Sequence, residues 1–163
     1  MPNPTHLSVE QFLRHLGPEC ARTRLYLQDL RPEDLVRSPA PGMMTARELA
    51  LHLIGCLEWL RMAAVHGDGD FAHFKVTLEF DDGAGAAAHA LQSYRRLRDE
   101  LTALTEAEFN RPMIMFRRET TASDLCLELL LHEMHHRGQL GVILRSAGRT
   151  PPDLHQQPLP DCP

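Results

Sequence analysis

The chain has 163 residues, of which 43% are hydrophobic, and it carries a formal net charge of −5. This length supports one globular domain over residues 1–163, and the acidic balance disfavours a nucleic-acid binder, which needs a basic face. No apolar run reaches the roughly 18 residues of a membrane span, and the N-terminus lacks a signal-peptide pattern, so we expect a cytoplasmic protein. Cys20, Cys56, Cys126 and Cys162 have no paired spacing, and the three within predicted helices, Cys20, Cys56 and Cys126, are expected to be reduced, buried thiols.

The first predicted helix covers about residues 8–30. Ser8 and Gln11 occupy the two positions of a capping box, which marks its beginning. Apolar residues recur along it at helical spacing. Because Gly17-Pro18 interrupts this pattern, we expect the helix to kink or break there.

The second predicted helix has the clearest start signal in the chain. Thr45 is its N-cap and Glu48 lies at the third helical position, which completes a capping box. Its apolar stripe contains His52 near the middle and Cys56 one turn later. The helix is expected to end near Gly67.

The remaining two helices are separated by long connections. The third is predicted over about residues 86–104, and the fourth begins near residue 121 or 123 and runs to about residue 147, where Gly148 stops it. The connection of residues 67–85 contains an alternation typical of a short extended segment, and residues 113–116 (Met-Ile-Met-Phe) form an apolar run in the next connection. The tail of residues 153–163 is expected to be irregular.

Four amphipathic helices in one chain of this length predict an all-α fold, a four-helix bundle. The connection between the second and third helices is long enough to travel the length of the bundle. We therefore predict a crossover between helices two and three rather than a simple up-and-down arrangement.

Histidines are concentrated in the fourth predicted helix. His132 and His136 are four residues apart, so both lie on one face, which is also the apolar stripe. Buried imidazoles need a partner for their nitrogens. Together with His52 from the second helix, they would hold one divalent ion and leave a coordination position open, as catalytic sites do. Zinc, nickel, iron and copper all accept imidazole. The alternative is a bundle without metal, whose histidines bond to a carboxylate or to backbone groups.

Two neighbouring side chains are candidates for roles beside the histidines. Glu128 precedes His132 by one turn, and we consider it a fourth ligand, a general base or a partner that orients a ligand. An ordinary surface position is the alternative for Glu128. Cys56 is either a thiolate ligand or a packed core thiol.

Four other residues near these positions are expected outside the metal site. His135 should lie on the flank of the apolar stripe, and Gln139 should pack or hydrogen-bond across the bundle. Arg137 and Glu58 should face solvent.

Several stretches of the chain resemble the DinB/YfiT-like superfamily. Residues 132–140 (His-Glu-Met-His-His-Arg-Gly-Gln-Leu), followed by Leu-Arg-Ser-Ala-Gly at 144–148, resemble its last helix. Residues 45–53 resemble its second helix with a single metal-binding histidine, and Pro-Ala-Pro-Gly at 39–42 resembles the usual lead-in. The resemblance covers nearly the whole chain. It implies a four-helix bundle with one divalent metal, such as zinc, nickel or iron, on His52, His132 and His136.

The same resemblance implies a metal-dependent enzyme. One expected activity is the transfer of a low-molecular-weight thiol, such as bacillithiol or mycothiol, to an electrophilic small molecule, because a metal holds the thiol as the nucleophilic thiolate. A second is hydrolysis by water whose pKa the metal lowers toward about 7. A non-catalytic metal-binding protein of a stress response is the rival from another class.

The expected partners are a small-molecule substrate and a second copy of the chain, with no nucleic acid and no membrane. The resemblance implies pairing, and the apolar runs at residues 74–80 and 113–116 would form an exposed patch large enough to drive association. We therefore predict a homodimer.

Overall fold

The computed structural model describes residues 7–73, 76–154 and 158–160. Within these ranges α-helices account for most of the chain, with one antiparallel hairpin. A π-helical turn, Met62–His66, extends the second helix, and short 3₁₀ turns occur at Pro32–Asp34 and Phe71–His73. The elements in chain order are α1 (Val9–Gln28), α2 (Ala46–Arg61), α3 (Gly83–Thr102), the single turn α4 (Glu106–Phe109), β1 (Pro112–Met115), β2 (Arg118–Thr121) and α5 (Ala122–Ser146).

The helix boundaries follow the capping residues. The backbone N–H of Glu48 donates to Thr45 Oγ1 at 3.2 Å, so the predicted capping box of α2 is confirmed. The chain leaves the π-helical turn at Gly67, which adopts a left-handed φ of 75°. α1 begins after Ser8 as predicted. It continues through Pro18 as one helix, so the predicted break at this position is wrong. Buried residues on both sides of Pro18 offset the cost of the proline.

The bundle has a crossover between α2 and α3. The first half of α1 packs with the second halves of α2 and α3 and the start of α5, and the opposite halves of the four helices form the other core region. α2 and α3 are therefore parallel neighbours, and both run antiparallel to α1 and α5. The connection between two parallel neighbours must return along the bundle, which confirms the predicted four-helix bundle with a crossover.

The crossover connection lies against α2. A Cβ added to Gly55 would meet the Val76 side chain at 3.5 Å, which shows how closely the connection passes over this helix. Residues 76–80 form no strand, so the extended segment is not found in this described part, and Phe74 lies outside the described residues. Val76 and Leu78 pack against the core, and Phe80 is buried in it.

The second long connection contains a β-hairpin that we did not predict. β1 and β2 pair in register from Pro112 with Thr121 to Met115 with Arg118. The turn residues Phe116 and Arg117 have φ values of 52° and 62°, a left-handed conformation at both central positions.

The apolar segments behind the predicted dimer pack partly onto their own bundle. Phe80 and Met115 are buried, whereas Ile114 keeps 69% of its surface exposed. The exposed patch is therefore smaller than expected, and the homodimer stays a prediction.

One helix is more apolar than we expected from the sequence. Ala46–His66 spans 21 residues and contains a window of 18 residues with a mean hydropathy of 1.2, enough by length and composition to cross a membrane. Half of this stretch is buried inside the bundle, where it contacts α3 and α5. It is thus a core helix of the fold.

Candidate metal centre

Three histidine rings meet between the antiparallel helices α2 and α5. His52 Nε2 and His132 Nε2 lie 2.9 Å apart. The ring of His136 lies 4.7 Å from that of His52 and 4.2 Å from that of His132, measured between centroids. The one-turn spacing of His132 and His136 therefore presents both rings to the same point on α2.

Cys56 joins this cluster. Its Sγ lies 3.9 Å from His52 Nε2 and 3.7 Å from His132 Nε2. The ligand atoms of His52, Cys56 and His132 all lie within 4.8 Å of one another. Since Cys56 follows His52 by one helical turn, its thiol lies on the same face of α2, beside the imidazole nitrogens.

These separations fit a tetrahedral divalent ion. With metal–nitrogen bonds of about 2.0–2.1 Å and metal–sulfur bonds of about 2.3 Å, tetrahedral geometry sets nitrogen–nitrogen edges near about 3.4 Å and sulfur–nitrogen edges near about 3.6 Å. The observed edges of 2.9, 3.7 and 3.9 Å fall on both sides of these values. Imidazole and thiol donors also suit zinc and other late transition metals.

The histidines are neutral at physiological pH. Burial, followed by repulsion from His136, His52 and the neighbouring His135, lowers the pKa of His132 to about 4. Burial also lowers the pKa of His52 and of His136. Neutral imidazole carries the lone pair that a metal needs. Burial, assisted by the Glu133 carboxylate, raises the pKa of the Cys56 thiol to about 12, whereas a bound cation acts in the opposite direction.

Gln139 orients His136. Its Oε1 lies 2.8 Å from His136 Nδ1, so it accepts the Nδ1–H bond and leaves the lone pair on Nε2. Its Nε2 lies 3.2 Å from the exposed His135 ring. Gln139 thus forms its hydrogen bonds within its own helix, whereas we had expected it to pack or to bond across the bundle. Metal-binding histidines usually have a hydrogen-bond partner of this kind on the second ring nitrogen.

The opposite face of α5 carries a buried polar contact with α1. Thr23 Oγ1 donates to Glu133 Oε2 at 2.8 Å, and Arg137 pairs with Glu19 at 2.7 Å. Arg137 is 9% exposed, so its predicted outward position is wrong, because α1 supplies a carboxylate on that side. Burial raises the pKa of Glu133 to about 7. These contacts fix the rotation of α5 behind the histidines.

Glu58 is also buried, contrary to our expectation. It is 8% exposed and accepts hydrogen bonds from Arg61 Nε at 3.0 Å and from Arg96 Nε at 3.0 Å. Arg96 belongs to α3, so this carboxylate joins α2 to its parallel neighbour. The two guanidinium groups compensate for the loss of solvent around Glu58.

Most of the chain matches the profile of a known protein family. The sequence profile of the DinB superfamily matches residues 19–140. The chain belongs to the DinB superfamily. The predicted resemblance is therefore confirmed over most of the chain, although a search of curated proteins by sequence finds no match.

Solved structures of DinB-like proteins share the fold. YjoA from Bacillus subtilis superposes with a TM-score of 0.74 at 23% identity, over 88% of this chain and 96% of that one. A DinB-like protein from Bacillus cereus gives 0.74 at 23% identity, over 91% and 99%. YfiT from Bacillus subtilis, described as a probable metal-dependent hydrolase with an unusual four-helix bundle topology, gives 0.66 at 16% identity, over 92% and 93%. At these identities the likeness concerns the fold.

In this DinB-superfamily protein Glu128 lies on the surface. Its carboxylate pairs with Arg118 of β2, and about half of its side chain, 48%, is exposed. This is the surface arrangement that we considered as the alternative. A role for Glu128 as a base or as a partner of a ligand stays a prediction.

A cleft opens beside the histidines of this DinB-superfamily site. Trp59 stacks on Phe71 of the crossover connection at 5.2 Å and on Phe116 of the hairpin turn at 5.5 Å, between ring centroids. The Trp59 indole N–H donates to the carbonyl oxygen of Gly69 at 3.1 Å. The cleft has a volume of about 330 Å³ and is lined by Glu48, Leu51, His52, Gly55, Cys56, Trp59, Phe71 and Val76.

Proposed function

We propose that this DinB-superfamily protein is a metal-dependent enzyme that transfers a low-molecular-weight thiol, such as bacillithiol or mycothiol, to an electrophilic small molecule. His52, His132 and His136 would hold one divalent ion, zinc, nickel or iron. The observation that carries the proposal is the convergence of these rings beside a cleft, with His52 and His132 presenting Nε2 atoms 2.9 Å apart. When bound, a divalent ion stabilises a thiolate, the nucleophilic form of the co-substrate.

The residues of the chain position both reactants. The neutral imidazoles provide lone pairs, and the Gln139 amide holds His136 with its Nε2 directed away from the amide. The cleft would bind the electrophile, because its volume of about 330 Å³ suits a small molecule. Its wall of Leu51, Trp59 and Val76 favours an apolar group next to His52.

Metal-dependent hydrolysis is the second candidate. It is favoured by the description of YfiT, which shares the fold, as a probable metal-dependent hydrolase. The same histidines and the same cleft would serve this reaction, with water in place of the thiol. In a third possibility, the ion has no catalytic role and only joins α2 to α5.

The setting that we propose is the cytoplasm, with a small molecule rather than nucleic acid or a membrane as partner. The net charge of −5 disfavours binding to phosphate backbones. Among the described residues, Cys20, Cys56 and Cys126 are in no disulfide, which suits a reducing compartment.

A conjugation screen tests the proposal. Protein purified without a histidine tag is loaded with zinc, nickel or iron(II) and incubated with bacillithiol, mycothiol or glutathione and a panel of electrophiles. Loss of free thiol and the product mass are measured. We expect conjugation that depends on thiol and metal, that is lost in His132→Ala and that is kept in His135→Ala, since His135 is exposed.

Two results would contradict thiol transfer. Metal-dependent cleavage of esters or amides without any conjugation would identify the hydrolase instead. Metal binding with neither activity would leave the non-catalytic role.

A further inference from the structure

We infer that Cys56 is a fourth protein ligand of the ion, so that the site consists of three imidazoles and one thiolate. The inference rests on the proposed metal site but not on the thiol-transfer reaction. The superfamily resemblance implies only three histidine ligands. The contacts of Cys56 in this chain indicate a fourth ligand.

The contacts of the thiol carry the inference. Cys56 packs against the core, but its Sγ also has imidazole nitrogens at 3.7 and 3.9 Å, which a thiol surrounded only by carbon atoms lacks. Both sulfur–nitrogen distances are within about 0.3 Å of the edge of a tetrahedral site with thiolate and imidazole ligands. Little movement of the side chain is therefore needed for Sγ and the two Nε2 atoms to share one ion.

Ligation changes the state of the thiol. The S–H bond is replaced by a sulfur–metal bond, and the proton passes to solvent, so binding by Cys56 releases one proton. The thiolate neutralises one of the two positive charges of a divalent ion. Neutral imidazole ligands do not reduce that charge.

The position of Cys56 has a consequence for the co-substrate. Cys56 lines the cleft together with His52, so its Sγ lies on the side of the cluster from which a small molecule approaches. An incoming thiol would meet the ion where Cys56 binds it, and the two thiolates compete. Removal of Cys56 should therefore open this position to an external thiol.

Cobalt(II) is the probe that tests the inference, because a thiolate bound to cobalt gives a charge-transfer band in the near ultraviolet. We compare the wild-type chain, Cys56→Ala and a matched control, Cys126→Ala. The control removes a different buried thiol, which lies in α5 rather than in α2. The wild-type and control proteins should show the band. Cys56→Ala should bind cobalt through the histidines without the band, and added 2-mercaptoethanol should restore it.

Each other outcome is decisive. Cobalt bound to the wild-type chain without the band overturns ligation by Cys56 and leaves the histidine site intact. No cobalt binding by any of the three proteins overturns the proposed metal site itself. Failure of 2-mercaptoethanol to produce the band in Cys56→Ala refutes the competition between thiols.

A second measurement uses only the wild-type chain, in case Cys56→Ala does not fold. Iodoacetamide labelling followed by peptide mass spectrometry reports the reactivity of each cysteine. Zinc should protect Cys56 and leave the labelling of Cys20 and Cys126 unchanged. Equal labelling of Cys56 with and without bound zinc contradicts ligation.

Discussion

Gln139 should control metal affinity through His136. In Gln139→Leu the leucine fills a similar volume but offers no acceptor for the Nδ1–H of His136, which Gln139 Oε1 accepts at 2.8 Å. The ring then loses the contact that fixes its orientation and its tautomer. His136 is 7% exposed, so water does not readily replace the amide oxygen.

The size of this effect follows from the hydrogen bond that is lost. A buried donor left without a partner costs about 1–3 kcal/mol, and loss of a partner of a metal-binding histidine usually lowers affinity by about 10–100-fold. The two ranges agree, since about 1.4 kcal/mol corresponds to a tenfold change. We therefore expect Gln139→Leu to bind zinc about 10–100 times more weakly, whereas Gln139→Glu keeps the acceptor oxygen and should keep the affinity.

Competition between the protein and a chromophoric chelator measures the zinc affinity. The matched control is His135→Ala, which removes the other partner of Gln139, a ring nitrogen at 3.2 Å on an exposed side chain. This control should change the affinity little. The reasoning is refuted if Gln139→Leu binds zinc as tightly as the wild-type chain, or if His135→Ala weakens binding more than Gln139→Leu does.

Three further substitutions test stability, measured by urea unfolding. Burial acts to raise the pKa of Glu58, but hydrogen bonds from Ser93, Arg96 and Arg61 outweigh it and keep the pKa below its ordinary value. Glu58→Gln should therefore lower the free energy of unfolding by about 1–3 kcal/mol at neutral pH. Since the pKa is lower in the folded than in the unfolded state, this difference should shrink as the pH falls through the folded-state pKa; a constant difference contradicts the ion pairs. Gly83→Ala should destabilise the fold strongly, because its Cβ would lie 1.9 Å from the carbonyl oxygen of Leu27. Gly138→Ala meets nothing within 4 Å and should stabilise α5 by roughly 0.5–1 kcal/mol; equal effects of the two alanines would show that the close approach at Gly83 is not rigid.

Much of the fold could be predicted because its signals are local. The capping box at Thr45 and the stop at Gly148 depend on neighbouring residues alone, and both are present in the structure. The crossover followed from the length of one connection. The hairpin was missed because its turn places Phe116 and Arg117 at positive φ, where asparagine and glycine are the usual signals.

The histidine cluster could be recognised from spacing, but its surroundings could not. Helical periodicity places each residue on a face of its own helix and says nothing about the charges on the helix opposite. Arg137 and Glu58 were assigned to solvent for this reason, although ion pairs with α1 and α3 bury them. The position of Cys56 likewise depends on how α2 is rotated against α5, which the sequence of one helix does not determine.

The metal content of tag-free protein tests the central claim most directly. The protein is dialysed against zinc, and excess metal is then removed. Elemental analysis by mass spectrometry should find about one divalent ion per chain in the wild-type protein and in His135→Ala. His52→Ala, His132→Ala and His136→Ala should each retain little metal. Wild-type protein without bound metal, or equal losses from His135→Ala and His136→Ala, would contradict the assignment of this site.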